Sequence, residues 1–156
     1  MKNIFRRKPF KGGAREIGTH FEEYTRARLE EQGFGFMAHS YKSHPYEIDL
    51  IMTDGSDIVF VEVKARKDSD PIKPELQVNE GKMAYILFAA AHFVADMQEM
   101  EIDTEAFGYR FDVAAIKYGD KDTVTDFRYY KNYYDVPEED LLQLAYRYRV
   151  CAKENK

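Results

Sequence analysis

An α/β fold is predicted: a mixed central sheet of about five strands flanked by helices. Three observations carry it. Tyr46–Ile51 and Val59–Lys64 alternate charged and apolar residues across a turn-rich gap, as paired strands do. A second alternating pair follows at Tyr109–Ile116 and Thr123–Tyr130. Three helix-period stretches separate and flank these strands, at about 14–32, 75–99 and 137–150. The chain of 156 residues has enough length for one well-cored domain, 16–156, behind a basic arm at 1–15.

The arm carries Lys2, Arg6, Arg7, Lys8, Lys11 and Arg15 without an acid. Net charge is −5, and setting those six positive charges aside leaves −11 for the remainder. Such an arm can touch phosphates by unspecific attraction, or serve as a solubilising terminus. Positive charge at the start is not followed by an apolar stretch, which excludes a secretory signal, and no apolar run reaches membrane-span length. The single cysteine, Cys151, can form neither an internal disulfide nor a cysteine metal site. Together these features read as a soluble protein of the cytoplasm.

The first helix, Ala14 to Gln32, closes on Gly33. Ile17, Phe21, Tyr24 and Leu29 fall near one stripe. Glu22 shares a side with Gly18, Thr25 and Leu29 and so points toward the body, whereas Glu23 points outward. The first strand lies within Phe34–Ser43, with Phe34, Phe36 and Ala38 on one side. His39 and His44 invite a zinc reading, which is disfavoured because no third nitrogen or sulfur ligand is near in sequence.

Thr53-Asp54-Gly55-Ser56-Asp57 supplies the positive φ that a tight hairpin needs. With Gly55-Ser56 at the tip, antiparallel partners sum to 111, so Asp49 lies opposite Glu62 and Glu47 opposite Lys64. Two carboxylates about 5 Å apart repel by roughly 3 kcal/mol at an effective dielectric near 20. A shared proton or a bound cation relieves that repulsion. Oxygen-only ligands beside a lysine suit Mg²⁺, or Mn²⁺ in its place, and equip a site for metal-assisted phosphodiester hydrolysis. The competing reading is a solvated hairpin face, and a loop of odd length would dissolve the pairing.

Asp49 followed by Glu62-Val63-Lys64 resembles the PD-(D/E)XK nuclease signature. More narrowly, Glu47-Ile48-Asp49-Leu50-Ile51, Val59–Arg66 and Arg110-Phe111-Asp112-Val113 look like the YraN family. Those are bacterial proteins of the restriction-endonuclease-like fold, similar in core to Holliday junction resolvases. The resemblance runs from about Gly18 to Ile116. It implies a restriction-endonuclease-like core and a divalent-metal-dependent endonuclease acting on DNA, branched or structured DNA included. It also implies that Asp49 and Glu62 hold the metal with the Val63 carbonyl, that Lys64 orients water or offsets charge, and that Glu22 closes one side. Glu47 is then a supporting carboxylate.

Lys82 matches a lysine in the family's equivalent helix and becomes a phosphate contact, as do Arg66 and Lys67 after the E-x-K strand. Members often carry alanine where this chain has Thr25. They usually have glycine where it has Tyr46, a ring that would narrow the site or stack on a base. Resolvase relatives act as dimers, so a homodimer is left open.

The helix at about Glu75–Glu99 has a broad apolar face, with an irregular entry expected around Gly81. His92 within it reads as a partnered core or interface residue. Asp112 is a tempting extra ligand, though pairing with Arg110 is the simpler reading. Tyr129, Tyr130, Tyr133 and Tyr134 can stack on unpaired bases or pack under the last helix, which Pro137 opens. Two other functions stay open: a nucleic-acid binder of this fold without turnover, and a scaffold using the tyrosine-rich C-terminal half.

Overall fold

The computed structural model describes residues 13–77 and 80–155. The basic arm expected at 1–15 therefore lies almost wholly outside the described residues. The order is α1 (Gly13–Glu31), β1 (Gly35–Ser43), β2 (Tyr46–Asp54), β3 (Asp57–Lys67), α2 (Glu80–Glu99), β4 (Gly108–Tyr118), β5 (Val124–Tyr134) and α3 (Glu138–Glu154). The five strands form one sheet in the order β1-β2-β3-β4-β5. Only β3 and β4 run parallel, because α2 carries the chain back between them. The predicted α/β class with a mixed five-stranded sheet is the observed one, consistent with a restriction-endonuclease-like core.

Alternation along the strands divides the interior into two layers. Ile58 and Phe60 pack with Ile86, Ala90, Phe93 and Val94 of α2 and with Leu141 and Ala145 of α3. Val59 and Val61 join Leu29, Phe34, Leu50 and Met52 on the α1 side. On α1, Phe21, Thr25 and Leu29 are buried at helical spacing, and Glu23 is exposed as expected. Tyr24 leans edge-on against Phe127 instead of joining that stripe. Thr25 is tolerated inside because its hydroxyl donates to the Phe21 carbonyl at 2.8 Å.

Both predicted glycine signals are realised. Gly33 has φ 93° and closes α1, with the Phe34 amide returning to the Leu29 carbonyl at 3.0 Å. Gly55 has φ 60° at the hairpin tip, where Asp54 pairs with Asp57.

Three details depart from the sequence reading. A register shift between Phe36 and Ala38 makes Met37 an extra residue, so Phe36 packs toward α1 and Ala38 toward α2 instead of sharing a side. The long helix begins at Glu80, after a separate 3-10 turn at Pro74–Gln77. The last strand runs on to Tyr134, taking the tyrosine cluster into the sheet.

Candidate metal centre

The β2–β3 ladder follows the predicted register through Asp54↔Asp57, Ile51↔Phe60 and Leu50↔Val61, and there it stops. Asp49 and Glu62 are therefore not a regular cross-strand pair. One rung further on, the Asp49 carboxylate accepts the Val63 backbone N–H at 2.8 Å. β2 also changes phase here: Ile48 and Ile51 both pack toward α2, with Leu50 toward α1. The predicted Glu47–Lys64 pairing is not made, because the β2–β3 ladder has ended before it, and the cross-strand partner of Glu47 is Lys42 of β1.

Splaying the strands still gathers the acids. Glu62 continues the α2-facing series of β3 and is only 5% exposed. Burial pushes the Asp49 carboxyl well above its usual range, and the charges of Glu62 and Glu22 push it further, against the Val63 amide and Lys64. Glu22 reaches in from α1. Its pKa is pushed up to about 7 by burial first, then by Glu47 and Glu62, while hydrogen bonds accepted from Ser40 and from Asp49 hold it down. Two carboxyls in hydrogen-bonding reach share a proton, so part of the repulsion is relieved without a cation.

Lys64 Nζ lies 2.9 Å from Glu62 Oε1, and Lys82 Nζ at the start of α2 lies 3.9 Å from the same oxygen. Burial opposes the Lys64 charge, but Glu62 and then Asp49 outweigh it and raise its pKa. Glu22, Val63 and Lys64 line one small cavity of about 250 Å³ with Gly18, Phe21, Ala65 and Tyr118. Glu22, Glu47, Asp49, Glu62, Val63, Lys64 and Lys82 are thus brought together.

Arg66 and Lys67 sit at the far end of β3. Arg66 is ion-paired with Asp70, which also caps the Ile72 amide at 2.9 Å and so shapes the turn after the strand. Lys67 is exposed beside it.

Ser40 is a member that sequence reasoning missed. It occupies the β1 position opposite Asp49, has φ 48°, and points its hydroxyl at Glu22 Oε2 at 3.4 Å. A serine in the left-handed region has no advance signal in a chain otherwise reading as strand. The Tyr134 hydroxyl is another: it lies near Glu62, whose charge helps raise its pKa to about 12 after burial and Tyr133, and it is buried without a hydrogen-bond partner among the described residues.

Other candidates resolve as structural. Asp112 is 1% exposed and takes Arg110 through two nitrogens, the Tyr129 hydroxyl at 2.6 Å and the Asn132 amide at 2.7 Å. His92 contacts Ser43 and packs against Tyr148 and Tyr46. Tyr46 stacks on Phe88 of α2 with ring centroids 5.3 Å apart. His39 and His44 are exposed.

The donor set suits a hard cation: carboxylates, a backbone carbonyl and excess negative charge. Among the described residues, no three His, Cys, Asp or Glu side chains converge as a ready-made metal cluster. Mg²⁺ does not need one, since it binds through one or two carboxylates and completes its shell with water and substrate phosphate.

Comparison with known proteins agrees with the motif order. The sequence model described as "Uncharacterised protein family UPF0102" matches residues 21–116. A UPF0102 protein of Vibrio campbellii is 33% identical over 102 residues, covering 65% of this chain and 81% of the relative. Another from Mannheimia succiniciproducens is 36% identical over 101 residues, covering 65% and 82%. A third, from Syntrophus aciditrophicus, is 35% identical over 95 residues, covering 61% and 71%. The match runs from within α1 to within β4, the part that holds every acid of the cluster, and the chain belongs to the UPF0102 family, also called the YraN family.

Proposed function

We propose that this protein is a divalent-metal-dependent endonuclease that hydrolyses phosphodiester bonds in DNA, branched or structured DNA included. One observation carries the reading: the Val63 amide holds Asp49 at the end of the ladder, beside a buried Glu62 that is already paired with Lys64. Asp49 and Glu62 would hold Mg²⁺ or Mn²⁺, with the Val63 carbonyl and Glu22 completing the protein side. The ion supplies charge neutralisation on the phosphate and a more acidic bound water. Lys64 presents an ammonium at the same place and offsets charge developing on the phosphate oxygens. Without the ion, burial and the charge of Glu47 raise the Glu22 pKa; a bound cation would hold Glu22 ionised beside the site. Lys82, with Arg66 and Lys67 along the strand, meets flanking phosphates.

A second reading is favoured by one contact. Lys64 already balances Glu62 without an ion, as suits a protein that binds nucleic acid and does not cut it. Incubation with plasmid, single-stranded and four-way-junction DNA in Mg²⁺ or Mn²⁺ separates the two. Cleavage lost in Asp49→Ala, Glu62→Ala and Lys64→Ala supports the nuclease. Salt-sensitive retention of DNA with no cleavage in either metal supports the binder.

A further inference from the structure

Two apolar rims flank the acid cluster, and the described contacts trace each of them back to Glu62. On the β2 side, Lys82 leads one helical turn along α2 to Tyr85, which is 52% exposed and sits edge-on to Tyr46 at 5.3 Å. On the β5 side, Glu62 is level with Val113 of β4 and through it with Tyr130 of β5, whose ring lies 5.7 Å from Tyr133, which is 36% exposed. The Tyr133 hydroxyl then reaches the Glu75 carbonyl at 3.5 Å, next to Leu76, which is 67% exposed. Glu75 is locked from below by the Tyr130 hydroxyl at 3.1 Å and by Arg128 at 3.7 Å, so the turn carrying Leu76 is pinned to the sheet. Tyr85, Tyr133 and Leu76 thus keep exposed outward faces on pinned elements. Lys82 and Arg128 stand among them with half-exposed side chains.

We infer that this strip binds single-stranded DNA, with unpaired bases against Tyr85, Tyr133 and Leu76 and phosphates on Lys82 and Arg128, so that the chain passes the acid cluster unpaired. The inference rests on the nuclease reading and specifies its substrate. Flat apolar faces interleaved with cations fit a nucleic acid whose bases are accessible; a blunt duplex hides those bases and offers only its phosphates. Charge complementarity favours this occupant over an apolar protein partner, because half-exposed Lys82 and Arg128, the latter also held by Asp126 at 3.0 Å, accompany the exposed apolar residues.

The test is binding of the full chain to a single strand of about a dozen nucleotides containing 2-aminopurine, and to a blunt duplex of equal length, with Ca²⁺ as the ion. The single strand is expected to bind at least about tenfold more tightly and to show quenching of the stacked base. Tyr85→Ser and Leu76→Ser should each weaken it by about fivefold or more and leave duplex binding unchanged. Tyr85→Leu keeps the apolar contact with Tyr46 and should still lose the quenching. Equal binding of duplex and single strand, or unchanged affinity in both serine variants, would overturn the inference while metal-dependent cleavage kept the nuclease reading intact. No binding to either DNA also overturns it; absence of cleavage in parallel would remove the nuclease reading as well.

Discussion

The Val63 amide donates to the Asp49 carboxylate at 2.8 Å, one rung beyond the last paired residues of β2 and β3. This bond turns an interrupted ladder into a holder for a charged side chain. A continuous ladder would give each acid a fixed cross-strand partner and no room between them. The splay after Leu50↔Val61 lets Glu22 enter from α1, and the amide keeps Asp49 in place despite the repulsion it meets.

Asp49→Asn tests the cluster as a cation site. The asparagine oxygen can still accept the Val63 N–H, so the anchor survives while one negative charge is removed. Calorimetric titration should show Mn²⁺ affinity reduced by at least about tenfold. In EDTA the thermal midpoint should match or exceed that of wild type, since repulsion with Glu62 and Glu22 is gone. A variant that binds Mn²⁺ as wild type does would sink the proposed site.

Lys64→Met removes the close counter-charge from a buried carboxylate. Breaking a buried pair costs about 3–5 kcal/mol when nothing replaces the lost partner. Here Lys82 stands 3.9 Å from Glu62 and Lys64 keeps some exposure, so a loss on the order of 2 kcal/mol is expected in EDTA. Mg²⁺ should restore part of it by taking the place of the ammonium. Urea unfolding with and without Mg²⁺ reads both; an unchanged midpoint in EDTA would show that Glu62 does not depend on Lys64.

Glu22 gives the metal-free protein a pH dependence of defined sign. Its folded-state pKa of about 7 lies above the ordinary value of 4.5, so the native state holds more protons than the unfolded chain in that window. The contribution to stability is full below the ordinary value and is lost as pH rises through about 7. The thermal midpoint in EDTA should therefore fall between about pH 5 and 8. Glu22→Gln should flatten the slope, and saturating Mg²⁺ should do likewise by stabilising the ionised cluster. A midpoint that rises over this range, in wild type and variant alike, would contradict the protonated carboxyl.

The parts of this arrangement legible in the sequence are those fixed by local chemistry. Gly55 sets the turn, the turn sets the register, and the register brings Asp49 and Glu62 to neighbouring strands. Glu22 is legible because helix periodicity places it on the side of Thr25 and Leu29. What could not be read depends on the third strand. The extra residue at Met37 and the left-handed Ser40 belong to β1, yet they decide where β2 changes phase. Extrapolating the hairpin pairs Glu47 with Lys64 only by carrying the ladder past its end at Leu50↔Val61. The link between Tyr134 and Glu62 spans β3 to β5, a separation that no short-range pattern encodes.

Asp112 supplies the contrasting case, a buried carboxylate whose contacts are all internal. It is held by Arg110, Tyr129 and the Asn132 amide, and Arg110 in turn reaches Asp54 at 2.9 Å and Asp57 at 3.6 Å across the hairpin tip. Asn132 has φ 53°, a strained conformation that this one carboxylate oxygen secures through its amide. Asp112→Ala strands Arg110 between two half-exposed acids, orphans the Tyr129 hydroxyl and frees the β5 bend. A loss of about 3–5 kcal/mol in urea unfolding is expected. Mn²⁺ affinity of the folded fraction should stay within about twofold of wild type, because Asp112, level with Val61 and one rung from Glu62, projects to the opposite face of the sheet and has its own partners. A large drop in metal affinity with stability preserved would reverse the assignment and make Asp112 part of the cation site.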